Sequence, residues 1–193
     1  DIDTAAKRFG MPTGPLRFLD EVGFDIFADA GTVMHKAFGE RFNPASIFLE
    51  LYDTDRLGKK NGEGFYQYMD GETKEPDESI YSELHAQVPS KTRKFSDDTI
   101  LNRLLLQMIN EAAFALEDGI VQSADQVDLA LIMGAGFPPF RGGLLRFADT
   151  VHPRGVLYRI QKLEEVYGAR FTPAPLLIEL AEQDRTFYET FGI

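Results

Sequence analysis

Cysteine is absent from these 193 residues. That excludes disulfides and thiolate metal sites, and it fits a reducing compartment. Histidine is scarce. His35, His85 and His152 lie far apart and none forms a ligand-spaced pair, so no metal site is expected. Positive charge is also in short supply, with 20 Lys and Arg against 31 Asp and Glu and a formal net charge of −11. A nucleic-acid surface needs clustered Lys and Arg, so nucleic acid is not an expected partner. A few local cations can still serve a small anionic ligand against a distant acidic surface. No stretch approaches the roughly eighteen uninterrupted apolar residues of a membrane span, and the N-terminus shows no signal-peptide pattern. A soluble intracellular protein is expected. There is no initiator methionine either, since Asp1 opens the chain.

What is present is one pattern written twice, about 125 to 129 residues apart. Asp3-Thr4-Ala5, Gly10-Met11-Pro12 and Leu16-Arg17-Phe18-Leu19-Asp20-Glu21-Val22 return as Asp128-Leu129-Ala130, Gly136-Phe137-Pro138 and Leu145-Arg146-Phe147-Ala148-Asp149-Thr150-Val151. Two small gaps align them. The second copy follows a long apolar helix pattern, and the first has none in front of it. The expectation is a first copy truncated at its N-terminus.

Helical signals dominate. Residues 3–38 read as helix broken by Pro12, Gly14 and Pro15, where Pro15 suits a first helical turn. Leu16, Leu19, Val22, Ile26, Ala30, Val33 and Ala37 then recur at threes and fours, which predicts a core-facing stripe with a break near Gly23. A second helix is expected from Pro44 to about Leu57, capped by Asn43. The glycine loop at residues 58–64 stops it, and Phe65-Tyr66-Gln67-Tyr68 reads as extended. Residues 69–94 are polar, with a weak helical signal at 78–86, and read as a linker. The clearest helix spans residues 97–118, with Ser96 as its cap, Asp97 and Asp98 in its first turn and Gly119 as its stop. Further helices are expected at 123–133, 144–150, 155–167 and 175–183. The class is mainly α.

Gly134-Ala135-Gly136-Phe137-Pro138-Pro139 is not a dinucleotide loop, because the residues before it read as helix and two prolines occupy the turn. No phosphate-binding P-loop occurs. Lys59 and Lys60 stand among the glycines of 58–64, a composition able to bring backbone N–H groups and an ammonium to a phosphate, and also that of an ordinary turn with solvated lysines. Asp149 and His152 could pair as an oriented base, but no nucleophile elbow is nearby and Pro153 marks a helix boundary. His35 and His85 lie in polar helical contexts. Asn102 falls near an apolar face and needs a hydrogen-bond partner, either a tether within the fold or a ligand. The Phe and Tyr residues are scattered through core faces and read as packing.

Taken together, these segments resemble a known family. Phe9-Gly10-Met11-Pro12-Thr13-Gly14-Pro15-Leu16 with Asp20-Glu21-Val22-Gly23, then Gly58-Lys59-Lys60-Asn61-Gly62-Glu63-Gly64-Phe65-Tyr66, Asn110-Glu111-Ala112 and Gly136-Phe137-Pro138-Pro139-Phe140-Arg141-Gly142-Gly143 are similar to the C-terminal region of 3-hydroxyacyl-CoA dehydrogenases. The duplication resembles the multifunctional fatty-acid oxidation α-subunit type, which also carries an enoyl-CoA hydratase domain. Tyr167-Gly168-Ala169-Arg170-Phe171-Thr172-Pro173 extends the likeness to the end of the chain.

The resemblance implies two tandem helical repeats. Their bounds are 1–68 for a truncated first repeat, 69–95 for a linker and 96–193 for the second. It implies NAD-dependent oxidation of a 3-hydroxyacyl-CoA to the 3-oxoacyl-CoA, with no catalytic residue in this stretch, because the family's His/Glu pair and NAD-binding Rossmann domain precede it. Lys60 matches a lysine that reaches the NAD. Met133 aligns with a substrate-contacting tyrosine and offers no hydroxyl, and Met11 and Pro12 fall in the Gly/Pro turn beside the substrate. Asn102-Arg103 matches the second-repeat counterpart of a substrate-proximal Asn, and is implied to be structural. Implied partners are the 3-hydroxyacyl-CoA substrate, preceding Rossmann and hydratase domains and a thiolase subunit, with membrane association left open. The implied location is the bacterial cytoplasm, or alternatively the mitochondrial matrix. The contrasting reading is a non-catalytic helical interaction module.

Overall fold

Prolines and glycines punctuate this chain, and they set its element boundaries. The computed structural model describes residues 1–70, 72–84 and 94–193. Its elements are mainly helical, as the patterning predicts. They run α1 (Ile2–Phe9), α2 (Pro15–Val22), α3 (Phe24–Phe38), α4 (Ser46–Asp53), β1 (Tyr66–Met69), β2 (Glu72–Pro76), α5 (Ile80–Glu83), α6 (Asp97–Glu117), α7 (Ala124–Ala135), α8 (Leu144–Val151), α9 (Pro153–Tyr167), α10 (Pro175–Gln183) and α11 (Phe187–Phe191). β1 and β2 form an antiparallel pair.

Pro15, Pro153 and Pro175 each open a helix, where the missing N–H costs nothing. The Ser96 hydroxyl accepts from Thr99 N and that of Ser123 from Gln126 N, so both caps stand where expected. α4 differs from its expected start. Asn43 donates its side-chain amide to Glu40 at 3.1 Å, and the helix begins at Ser46 without a side-chain cap.

Two compact units result. One comprises Asp1, Asp3–Pro12 and Phe95–Ile193, and the other Ile2 and Thr13–Lys94. In the first, α6 packs on α8, α9 and α10 around an extensive apolar core that includes Ile109, Leu145, Ile160 and Leu177, and Phe9 of α1 joins it. Buried Asn110 of α6 donates to Thr172 O at 2.9 Å and accepts from Ala174 N at 2.8 Å, while Glu117 accepts from Leu176 N. α6 therefore supplies apolar cover and also satisfies amides at the start of α10.

The second unit has a much smaller buried cluster of Phe24, Leu51 and Ile80. Here the predicted stripe fails. Phe24 and Ala28 face inward, whereas Ile26, Ala30, Val33 and Ala37 are exposed, Val33 at 66%. The cause is Gly23, whose φ of 105° ends α2 and restarts the chain as α3, so the phase of the stripe is not carried across.

The repeat runs further than its sequence motifs suggest. Gly39-Glu40-Arg41-Phe42-Asn43-Pro44-Ala45 matches Gly168-Ala169-Arg170-Phe171-Thr172-Pro173-Ala174, and both stretches open as 3-10 turns. Asp55 and Asp184 both have φ 59°. Gly23 and His152 share an unusual backbone, with φ and ψ of 105° and 142° against 68° and 140°. Residues 58–64 have no counterpart, because Arg185-Thr186 leads directly into Phe187-Tyr188, the match of Phe65-Tyr66.

Candidate functional site

The loop at residues 58–64 belongs to the first copy alone, and it is built around Asp20. This α2 side chain is fully buried and accepts from Phe65 N at 2.8 Å, Tyr66 N at 2.9 Å and the Tyr68 hydroxyl at 3.0 Å. Asp20 O also accepts from Lys59 N at 2.9 Å. A Cβ at Gly64 would overlap the Asp20 carboxylate, which explains glycine there. Burial, and then the Asp20 charge, push the Tyr68 hydroxyl well above its usual pKa, so it remains a donor.

Arg56 fixes the loop from its other side. The side chain is 1% exposed, and it donates to Gly64 O at 2.8 Å, Asp77 at 2.8 Å, Glu83 at 2.6 and 3.0 Å, and the Ser79 hydroxyl. Burial alone would raise the Asp77 pKa, but bonds from Ser79 and Arg56 outweigh it and hold it at about 2. Glu83 is lowered by its bond from Arg56. Residues 64, 77, 79 and 83 are thereby tied to the end of the segment following α4.

Between these anchors stands Lys60. Its ammonium donates to both oxygens of Asp25, at 2.7 and 2.8 Å, and this bond lowers the Asp25 pKa. Asp25 lies in the first turn of α3, where a carboxylate complements the helix dipole. A Cβ at Gly23 would come within 2.7 Å of Lys60 Nζ, so glycine clears the space that the ammonium occupies. The result is a partly exposed cation on a loop with fixed ends.

Met11, Pro12 and Met133 lie in the other unit. Met11 packs partly buried against the large core, Pro12 is exposed beside Gly136, and Met133 is 78% exposed on α7. That unit also holds a cavity of about 480 Å³ between α6, α8 and α9, with Asn102, Arg141 and Arg159 on its wall. None of Lys60, Met11, Pro12 or Met133 lines it. Asn102 accepts from Arg159 at 3.2 Å, a tether between α6 and α9.

The His152 and Asp149 pairing does not form. Asp149 accepts from Phe187 N at 2.9 Å and Tyr188 N at 3.0 Å, the second copy's version of the Asp20 contacts, and burial raises its pKa. His152 caps α9 through Arg154 N. His35 bonds Gly39 O at 2.9 Å, and His85 lies outside the described residues. Among the described residues no group of His, Cys, Asp or Glu could hold a metal, and no helix is long and apolar enough to cross a membrane. Sequence reasoning missed Asp20 and Arg56 as organisers of the loop. Their signals were Asp20 recurring as Asp149, and Asp55-Arg56 recurring as Asp184-Arg185.

Comparison with known proteins accounts for the duplicated architecture. A family model described as 3-hydroxyacyl-CoA dehydrogenase, C-terminal domain, matches residues 1–68 and 100–190. The chain belongs to this family. The fatty acid oxidation complex subunit alpha of Idiomarina loihiensis is 41% identical over 189 residues, covering 97% of this chain and 26% of that protein. The protein of the same name from Vibrio vulnificus is 40% identical over 188 residues, with the same coverage. The chain thus spans about a quarter of the length of these relatives. In fold it is similar to 3-hydroxybutyryl-CoA dehydrogenase from Escherichia coli K12, with a TM-score of 0.73 and 24% identity over 94% of this chain and 54% of that one. The dehydrogenase part of multifunctional enzyme 1 from C. elegans gives a TM-score of 0.66 at 24% identity, covering 92% and 41%.

Proposed function

We propose that this chain is the helical C-terminal part of an NAD-dependent 3-hydroxyacyl-CoA dehydrogenase of fatty-acid β-oxidation, converting 3-hydroxyacyl-CoA to 3-oxoacyl-CoA. The observation that carries this reading is the loop at residues 58–64: it occurs in one repeat only, Asp20 and Arg56 fix its ends, and it presents Lys60 as a partly exposed cation. An internal repeat kept for packing alone needs no such insertion. When bound, NAD supplies the hydride acceptor. The residues here fit a single edge contact with it, since Gly23 leaves room for the Lys60 ammonium and the loop glycines admit close backbone approach. Met11, Pro12 and Met133 supply apolar surface near the acyl-CoA. Met133 gives packing without a hydroxyl donor.

With the family's His/Glu pair and Rossmann fingerprint lying outside these residues, this chain alone is catalytically silent. Rossmann and hydratase domains of the same polypeptide and a thiolase subunit are its partners, in the bacterial cytoplasm. Acetoacetyl-CoA and NADH provide the assay. Substantial turnover by the 193-residue chain overturns the silent-part reading, and no turnover by the complete gene product overturns the dehydrogenase reading. In the complete enzyme, Lys60→Ala weakens NADH binding in a direct titration with the fold intact; unchanged affinity removes Lys60 from the site.

A further inference from the structure

A cavity of about 480 Å³ lies between α6, α8 and α9, inside the unit that α6 organises. That volume falls in the roughly 300–1,000 Å³ range of small-molecule sites. Its wall is mainly apolar, with Leu101, Leu105, Val151 and Val156 among the lining side chains. Two arginines stand on the same wall, and among the described residues neither is ion-paired. Arg141 donates its Nε to Phe9 O at 2.9 Å and Arg159 donates to the Asn102 side-chain oxygen at 3.2 Å, and both acceptors are neutral. Other arginines of this unit do have carboxylates, Arg8 with Asp97 at 3.0 Å and Arg154 with Asp184 at 3.1 Å. Asp98 is the acidic side chain lining the cavity, and it is exposed. It offsets one of the two positive charges, so the wall keeps a single positive charge in excess.

We propose that this cavity is a binding site for an aliphatic monocarboxylate, with the chain against the leucines and valines and the carboxylate on Arg159. Three features select this ligand. The lining is apolar apart from a few polar groups, which is how a site holds a ligand with an apolar body and one polar end. A guanidinium presents N–H groups in a planar fork that matches a carboxylate, and Arg159 spends one terminal nitrogen on Asn102, a neutral amide. Asp98 on the same wall repels a head carrying several negative charges, so a single carboxylate is accepted where a polyphosphate head is not. None of Lys60, Met11, Pro12 or Met133 lines the cavity, so the site is separate from the dehydrogenase reading and stands or falls without it.

Titration calorimetry of the complete gene product with decanoate tests it. Saturable binding is expected, about tenfold tighter than for octanoate, since two further methylenes are buried at about threefold each. No binding, or equal affinity for the two chains, overturns the proposal. Arg159→Gln changes an exposed position and leaves the fold intact, and it weakens decanoate relative to the uncharged decan-1-ol by at least about tenfold. An equal change in both ligands overturns the proposal. Leu101→Trp fills the cavity and abolishes decanoate binding; binding that persists lies elsewhere and also overturns it. Decanoyl-CoA, carrying the same chain on a multiply charged head, is expected to show no affinity that these two variants remove. If it shows one stronger than that of decanoate, the monocarboxylate assignment is wrong.

Discussion

Arg56 and Arg185 follow matching helices, come after aspartates of the same φ, and sit in opposite surroundings. Arg185 is exposed and donates to Glu189 O at 3.0 Å, a local bond four residues along. Arg56 is buried and reaches Asp77, Ser79 and Glu83 across a hairpin. The difference follows from what each unit has for a core. The unit holding α6 closes over many apolar side chains, whereas the described residues of 13–94 have a buried cluster of three with a few partly buried side chains against it, and rely on buried ionic and hydrogen-bonded contacts. Buried ion pairs add little net stability over an apolar replacement, yet removing one partner is costly because the others are left unpaired. The first copy therefore has a loop of defined shape on a unit of modest apolar content.

The largest break in this comparison is Arg56→Ala. It leaves Asp77 and Glu83 without their cation and is expected to destabilise residues 13–94 by about 3–5 kcal/mol, against about 0.5 kcal/mol or less for Arg185→Ala. Denaturant melts followed by hydrogen exchange in each unit measure both, and equal costs would remove the distinction. Next is Asp20→Ala, which orphans Phe65 N, Tyr66 N and the Tyr68 hydroxyl. At about 1 kcal/mol or more per buried donor it should cost about 3 kcal/mol, more than Asp149→Ala with its two amides.

Acid sharpens the comparison because the carboxylates Asp77 and Asp149 respond with opposite sign. The folded pKa of Asp77, about 2, lies below its ordinary 3.8, and Glu83 is also lowered. Their contribution is complete above those ordinary values and is lost as pH falls toward 2, about 2 kcal/mol for Asp77. Asp149 is raised, so its burial penalty is felt at neutral pH and relieved as it protonates on acidification. Residues 13–94 should lose exchange protection first between pH 4.5 and 2. Simultaneous loss in both units would contradict the assignment.

Much of the fold was legible because its signals are local. The Ser96 and Ser123 caps, the prolines opening α2 and α10 and the glycine ending α2 act within one turn of chain, and the structure shows them where the sequence places them. α11 carried an unread signal of the same kind, the Thr186 to Glu189 capping box. β2 was not legible, and α5 showed only as the weak helical signal at 78–86, because this polar stretch has no apolar period and what ties residues 77, 79 and 83 together is Arg56, distant in sequence. The stripe of α3 misled because Gly23 resets the helix phase, which a period counted straight across the break does not register. Of the candidate site, the glycine loop around Lys60 was legible, while the role expected of the lysine came from the family resemblance. Its partner Asp25 was not legible, as an ion pair across 35 residues leaves no local trace.

The smallest predicted effect concerns the pair Gly23 and His152. Both copies need a positive φ between consecutive helices, and the first meets it with glycine while the second holds a histidine at φ 68° and ψ 140°. Such a conformation costs a non-glycine residue about 1–3 kcal/mol. Against relief of that strain, His152→Gly loses the long bond from Arg154 N at 3.4 Å and the approach of Nε2 to Asp184 at 3.7 Å. It also adds about 0.4–1 kcal/mol of unfolded-chain entropy. The balance favours a gain of about 1 kcal/mol or less, read as a small rise in melting temperature. A loss would mean that His152 contributes more through its cap than the backbone takes away, and that the second copy selected histidine there for the start of α9.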